Sequence, residues 1–512
     1  MVWPTKILDK LHDQKPVVKA GILLIVFLMS GVFLFYNSFR FSLPLGFGGL
    51  FAQMAEQIAS NDFSLPYESP YYGPGGIPFA YPPLGLYIMA LFIKLGIHPF
   101  TYMRFVPPLF SLLALLPIYL FTREFTGSWF AAILAVLVSA ISPVLFVWHT
   151  EAGGIVRGLA FLFLIWAMYF WRRALSDYKP LLAVLAGILC GLTFLTHLYN
   201  AFFFAVFTAS GVLIKASLNS IKVLSLALLA TVLVTAPWLI LVIYRYGFQI
   251  FLNILLSHDT TEFMDVLGSP NNLTDFVASK FSMVSIPYFL LPFLLIGLYI
   301  SIKRQSYELP LTAALSLFIF PPYADRFIIM LAAIFVGMSS LLFIEISTNR
   351  FKLLHTLFTG TLSLAVVWAM IYSFSEIRRL YPSLHKGAFG VQDFILNNTT
   401  PDSRYLFVTG QGEAEWFPYL LQREPLISKW GSEWLGNYYE QRQLQVGLMN
   451  CRLAEDATCI KQLGLDIKPT DLLITLKADK GLNADFEKSL PECRRVNSIS
   501  LYIVWTADCL IS

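Results

Sequence analysis

One stretch, Trp148-His149-Thr150-Glu151-Ala152-Gly153-Gly154-Ile155-Val156-Arg157, sets a histidine, a carboxylate and a guanidinium between two strongly apolar runs. Ionisable side chains at the edge of an apolar layer are costly without partners, so they mark candidate sites. Others fall in comparable places: His197 and Tyr199 in Thr196-His197-Leu198-Tyr199-Asn200, Arg245 after Tyr244, and Arg326 at the end of Pro321-Pro322-Tyr323-Ala324-Asp325-Arg326. An earlier loop adds Glu56, Asp62, Glu68, Tyr71 and Tyr72. Such a set suits transfer of a group from a phosphate ester. Arg157, Arg245 and Arg326 match a phosphate bidentately. An acceptor hydroxyl needs a carboxylate in reach of its proton, and Glu151 and Glu68 are the acids best placed for it. His149 or His197 can bind substrate, or can help a carboxylate hold a divalent metal. Tyr71 and Tyr72 are candidate substrate contacts.

Each residue also has a plainer use. Glu151 can pair with Arg157 or favour the N-terminus of the following helix. The histidines can hydrogen-bond between helices. Arg326 can snorkel or pair with Asp325, and Glu56 can belong to the wet face of an amphipathic helix.

The elements that must position these groups are membrane helices. The chain has 512 residues, 57% hydrophobic and 13% charged, with a mean hydropathy of +0.65. A soluble protein carries about 25% charged residues. Apolar runs at 18–36, 104–122, 127–147, 154–171, 180–196, 199–214, 221–244, 285–302, 308–321, 327–346 and 353–374 predict a polytopic α-helical membrane protein with about eleven spans. The shorter run 82–95 suits a re-entrant or interfacial helix. With the Lys-rich N-terminus in the cytoplasm, this choice leaves Lys or Arg in every cytoplasmic turn, as the positive-inside rule requires. The candidate site residues and everything after 375 then lie outside the cell. No basic tract points to nucleic acid.

The first outer loop, 37–103, contains a helical pattern from Phe47 to Ala59, with Phe47, Leu50, Phe51, Met54 and Ile58 on one face and Gln53, Glu56 and Gln57 opposite. Its Pro- and Gly-rich stretch 66–83 predicts no regular structure. A second long outer loop covers 245–284. Two domains follow: 1–375 in the membrane, and a small extracytoplasmic α/β domain, 376–512. In the latter, 405–408, 472–476 and 501–505 read as strands, and 413–422 and 434–449 as helices. Cys451, Cys459, Cys493 and Cys509 all lie there, an even set that predicts disulfides in an oxidising compartment. Of three possible pairings we expect the local ones, Cys451–Cys459 and Cys493–Cys509.

The chain resembles the GT-C superfamily of membrane glycosyltransferases, which includes aminoarabinose-transferase-like, protein O-mannosyltransferase-like and oligosaccharyltransferase-like enzymes. The resemblance rests on Phe51-Ala-Gln-Met-Ala-Glu-Gln-Ile58, on Tyr81-Pro-Pro-Leu-Gly-Leu-Tyr87 with Lys94-Leu-Gly96, on Thr122-Arg123-Glu124-Phe125-Thr126-Gly127, and on the segment from Ser142-Pro143 to Glu151, which takes the place of a second outer acidic motif. Arg326 stands where these enzymes often have an arginine facing the lipid phosphate. The resemblance implies an inverting enzyme of a prokaryotic plasma membrane, a polyprenyl-phosphate-linked sugar donor and an extracytoplasmic acceptor that is a lipid, a glycan or a protein. The tail domain, with Glu413, Glu415 and Trp416, would cover the site or select acceptors.

One departure stands out. The family's first-loop helix usually begins Asp-Glu-x-x-Tyr, with Asp as the catalytic residue, whereas this chain reads Phe47-Gly48-Gly49-Leu50-Phe51. Either Glu151 or Glu68 has that role, or the protein binds a lipid-linked sugar without transferring it. A secondary transporter is a third possibility, but no repeat of hydropathy between halves supports it.

Overall fold

A computed structural model of the chain describes residues 15–73, 75–143, 145–257, 287–319, 324–342, 352–409 and 411–511. Most of the second long loop, 258–284, lies outside the described residues. The chain folds into two compact units: one of 1–42, 104–238 and 261–380, and another of 43–103, 239–260 and 381–512.

The first unit is helical. Among the described residues, five helices are long and apolar enough to cross a membrane: Pro16–Arg40, Pro99–Thr126, Gly154–Asp177, Leu218–Tyr246 and Thr356–Arg379. Shorter apolar helices include Trp129–Ala140, Pro180–Phe194, Leu198–Ile214 and Glu308–Ile319. Local sequence starts them. Pro16 and Pro180 stand in first turns, where a missing N–H costs nothing. Ser128 accepts a hydrogen bond from the Ala131 N–H and so caps Trp129–Ala140. The expected span 127–147 is not one helix: it stops at Ala140, and a π-helical turn, Leu145–His149, follows. The core gathers Phe121, Trp171, Phe203 and Phe207, all fully buried.

At the far end of Gly154–Asp177 from Arg157, Arg172 meets Glu308 at 2.9 Å, with Glu308 buried, and lies over the Phe125 ring. Neither partner is tolerated alone once burial has taken it out of water.

The second unit contains a four-stranded sheet of order β3-β4-β6-β5, where β3 is Tyr405–Val408, β4 Leu472–Leu476, β5 Arg495–Ile499 and β6 Tyr502–Thr506. Strand β3 pairs parallel with β4 and the other pairs are antiparallel. Three strands match the apolar runs read from sequence. Strand β5 has no such run: its residues are exposed or half-buried, and pairing with β6 makes it a strand. The expected helix 413–422 is two short ones, Gln411–Ala414 and Phe417–Leu421, with a proline in the first turn of the second. Cys451 bonds Cys459 and Cys493 bonds Cys509, around a core that includes Leu473, Phe486 and Trp505.

The first-loop helix is Gly49–Ser60, and Leu84–Lys94 follows it. Within the Pro- and Gly-rich stretch a two-residue ladder forms, β1 (Glu68–Ser69) antiparallel to β2 (Ile77–Pro78). Glu308→Ala should destabilise the purified protein by about 3 kcal/mol by stranding a charge. The double change Arg172→Met with Glu308→Leu should recover most of this loss, as read by thermal unfolding in detergent.

Candidate functional site

In the first unit, the histidine–acid–arginine stretch closes on itself. The π-turn ends at His149, and the next helix starts at Gly154. A Cβ on Gly154 would collide with the His149 carbonyl oxygen, so only glycine lets the turn fold back this tightly. His149 is buried and its ring lies 4.6 Å from that of Phe161. Arg157 is held three ways: its Nε donates to the Gly153 carbonyl, its guanidinium lies 4.9 Å over the Trp148 ring, and Glu151 stands 3.9 Å from it. Both charged side chains are largely buried.

His149, Arg157, His197, Tyr199, Asn200, Trp148, Phe161 and Phe327 line a small cavity of about 10 Å³. That is room for about one water molecule. Five of the expected residues therefore converge: His149, Glu151 and Arg157 from one stretch, and His197 and Tyr199 from the start of Leu198–Ile214. Arg326 lies in the first turn of Ala324–Ser339, and its side chain lies outside the described residues. Its neighbour Phe327 stacks on Phe203 at 4.7 Å.

In the second unit, the feature that sequence reading did not foresee is how the first-loop helix is capped. Gly48 and Gly49 donate their N–H groups to Glu415 Oε2, both at 2.9 Å, and Leu50 donates to Oε1 at 2.8 Å. The positive end of a helix favours an anion, and here a buried carboxylate from the tail supplies it. Burial raises the Glu415 pKa, and the three N–H groups pull it back. Gly49 has to be glycine: a Cβ would come 2.6 Å from the Tyr72 hydroxyl and 2.7 Å from the Glu415 carbonyl. Tyr72 is fully buried and donates to that same carbonyl, and Trp416 donates from Nε1 to the Gly46 carbonyl. Tyr72 is thus a strut of this joint, and Tyr71 is a half-buried residue with a φ of 67°.

The polar face of the first-loop helix is equally engaged, where the helical pattern predicted a wet face. Gln53 is buried and donates to the Ser69 hydroxyl at 3.1 Å, and Gln57 donates to the Glu68 carbonyl. Tyr419 donates to Glu56 at 2.8 Å. Burial raises the Glu56 pKa, against the pull of that hydroxyl. The Glu68 side chain is exposed at the start of the small ladder. Arg245 donates to the carbonyls of Leu65 and Pro66, at 3.1 and 2.8 Å, and lies over the Tyr67 ring. It clamps the first loop through its backbone.

A second acid was missed altogether. Glu433 lies in the short 3-10 turn Ser432–Trp434. Burial pushes its carboxyl up to about 7, while backbone hydrogen bonds and nearby Lys429 draw it down. The signal for it in the sequence was weak: one acid between Trp430 and Trp434 in a tail that has many acids. Among the described residues no three His, Cys, Asp or Glu come together as a metal-binding group.

Glu415→Gln should cost about 2 kcal/mol through loss of charge-assisted bonds at the helix end. Hydrogen exchange should show this as faster opening of residues 49–60 than elsewhere in the protein. Glu433 makes the opposite contribution. A carboxyl whose pKa rises on folding holds its proton longer in the folded state, so folding is favoured below about pH 4.5 and loses that favour as pH climbs through about 7. The loss is at most about 3 kcal/mol. Glu433→Gln should therefore flatten the fall in thermal stability between pH 5 and pH 8, on the order of that difference.

Residues 80–241 match the family model of dolichyl-phosphate-mannose-protein mannosyltransferases. No curated protein matches the chain by sequence. Among solved structures, the chain is similar to the Archaeoglobus fulgidus oligosaccharyltransferase in its apo form, at 16% identity and a TM-score of 0.63, over 90% of this chain and 70% of that one. It is similar to AglB from the same organism in complex with an inhibitory peptide and a dolichol-phosphate, at 15% identity and a TM-score of 0.61, over 90% and 69%. ArnT from Cupriavidus metallidurans bound to undecaprenyl phosphate matches at 14% identity and a TM-score of 0.51, over 96% and 98%. At these identities the likeness is one of fold, and it bears out the resemblance to the GT-C superfamily of membrane glycosyltransferases.

Proposed function

We propose that the protein is an inverting glycosyltransferase of a prokaryotic plasma membrane that takes a sugar from a polyprenyl-phosphate carrier. The observation that carries this reading is the convergence of His149, Arg157 and His197 on one cavity, in a fold shared with proteins solved with dolichol-phosphate and undecaprenyl phosphate. Arg157 and Arg326 hold the leaving phosphate, with His149 and His197 beside them. The acceptor oxygen bonds to the sugar C1 as the bond from C1 to the phosphate oxygen breaks, and polyprenyl phosphate departs with that electron pair. The acceptor proton passes to a carboxylate, Glu151 or Glu68. A guanidinium 3.9 Å away attracts and orients Glu151. About eleven helices span the membrane, with the N-terminus inside and the tail domain outside.

A second reading is a protein that binds a lipid-linked sugar without transferring it. Its support is Glu415: the N-terminus of the first-loop helix already holds an internal carboxylate.

Purified protein given radiolabelled polyprenyl-phosphate sugars should transfer or hydrolyse one of them. Arg157→Ala should lower turnover at least about 100-fold. Glu151→Gln at wild-type rate would remove Glu151 from the mechanism, and no turnover with any donor would favour the second reading. Orientation is read separately. A membrane-impermeant thiol reagent added to cells should label Thr150→Cys and spare Ser176→Cys.

A further inference from the structure

The tail carries a cluster of unsatisfied polar atoms in one short segment. Glu433 Oε2, Trp434 Nε1 and Asn437 Oδ1 are each shut off from solvent and make no hydrogen bond among the described residues. Buried polar groups are nearly always paired, and each orphan costs about 1–3 kcal/mol. Three within five residues are not a packing accident of one side chain. The segment is firmly built: Trp434 is buried beside Tyr81, Trp430 lies 4.5 Å from Phe47, and Ser432 donates to the Lys429 carbonyl. The orphans are thus held in place. The turn also reaches the surface, for Gly436 is exposed and Glu433 and Asn437 are half-buried.

The chemistry of the set narrows the ligand. The indole N–H can only donate, while the carboxylate oxygen and the amide oxygen accept. A phosphate could answer the indole but would leave both oxygens unmet. A metal cation could answer the oxygens but would leave the indole unmet. Sugar hydroxyls both donate and accept, so a saccharide is the class of ligand that can answer both kinds of orphan. Aromatic walls of the kind that Trp430, Phe47 and Tyr81 offer suit the C–H faces of a pyranose or furanose ring. Near neutral pH the Glu433 carboxyl exists in both protonation states, so it can answer a hydroxyl in either sense.

We propose that the turn Ser432–Asn437 is a saccharide-binding subsite, and that it holds a sugar unit of the acceptor. The acceptor role rests on the proposed function, which it deepens, whereas the saccharide site stands on the orphaned atoms alone.

The test uses full-length protein in detergent. Mannose, arabinose and N-acetylglucosamine are titrated in turn, with saturation-transfer NMR and tryptophan fluorescence as readouts. At least one should bind, and Glu433→Gln and Trp434→Phe should each weaken it at least tenfold. Glu433→Gln keeps shape, Trp434→Phe removes the indole N–H together with part of a buried ring, and thermal unfolding verifies that the variants are folded. If none of the three sugars binds, or if one binds and neither variant weakens it, the site holds only water and the proposal falls. Transfer is assayed in the same variants. Sugar binding lost in the variants, in a protein that transfers nothing, would sink the glycosyltransferase reading and spare the saccharide site. Normal transfer and a normal acceptor KM in both variants would sink the acceptor role.

Discussion

The second unit depends on one charge at one helix end. Glu415 takes the N–H groups of Gly48, Gly49 and Leu50, and everything near it follows. Gly49 has no side chain, so the tail backbone can come close enough for Tyr72 to bond the Glu415 carbonyl, and Trp416 bonds that of Gly46. About two turns further along, Glu56 receives Tyr419. These contacts are cooperative: the carboxylate can be buried because three donors meet it, and the donors can be buried because it meets them. The carboxylate that caps this helix arrives from more than three hundred residues away in the chain.

The first unit answers the same problem between packed helices, where a lone buried charge has no water to rescue it. Arg172 has Glu308, and Arg157 has Glu151, the Gly153 carbonyl and the Trp148 face. The difference lies in what surrounds them. The Arg172 pair is closed at 2.9 Å, whereas the Arg157 pair is looser, at 3.9 Å, and borders a water-sized cavity lined by two histidines.

Three tail glutamates show how position alone divides one residue type. Glu415 has every donor it needs. Glu413 is buried between the Thr409 and Tyr502 hydroxyls. Glu433 has an oxygen that meets no donor among the described residues. The first two hold the unit together, and the third weakens it at neutral pH.

Much of this was legible in the sequence. Apolar runs marked the membrane helices because a bilayer demands unbroken hydrophobic length, and the spacing of His149, Glu151 and Arg157 placed them in one turn whatever the rest did. Strands β3 and β4 and both disulfides followed from local composition and local cysteine spacing. What tertiary structure alone decided was each pairing across long separation: Glu415 with Gly49, Tyr419 with Glu56, Arg172 with Glu308, and β5 as a strand because β6 lies beside it. Periodicity reports which face of a helix is polar. It does not report whether that face meets water or another chain segment, and so Gln53 and Glu56 read as a wet surface when they are a joint. Glu433 was illegible for the same reason: a carboxylate's neighbours, not its place in the chain, determine whether its oxygens find partners.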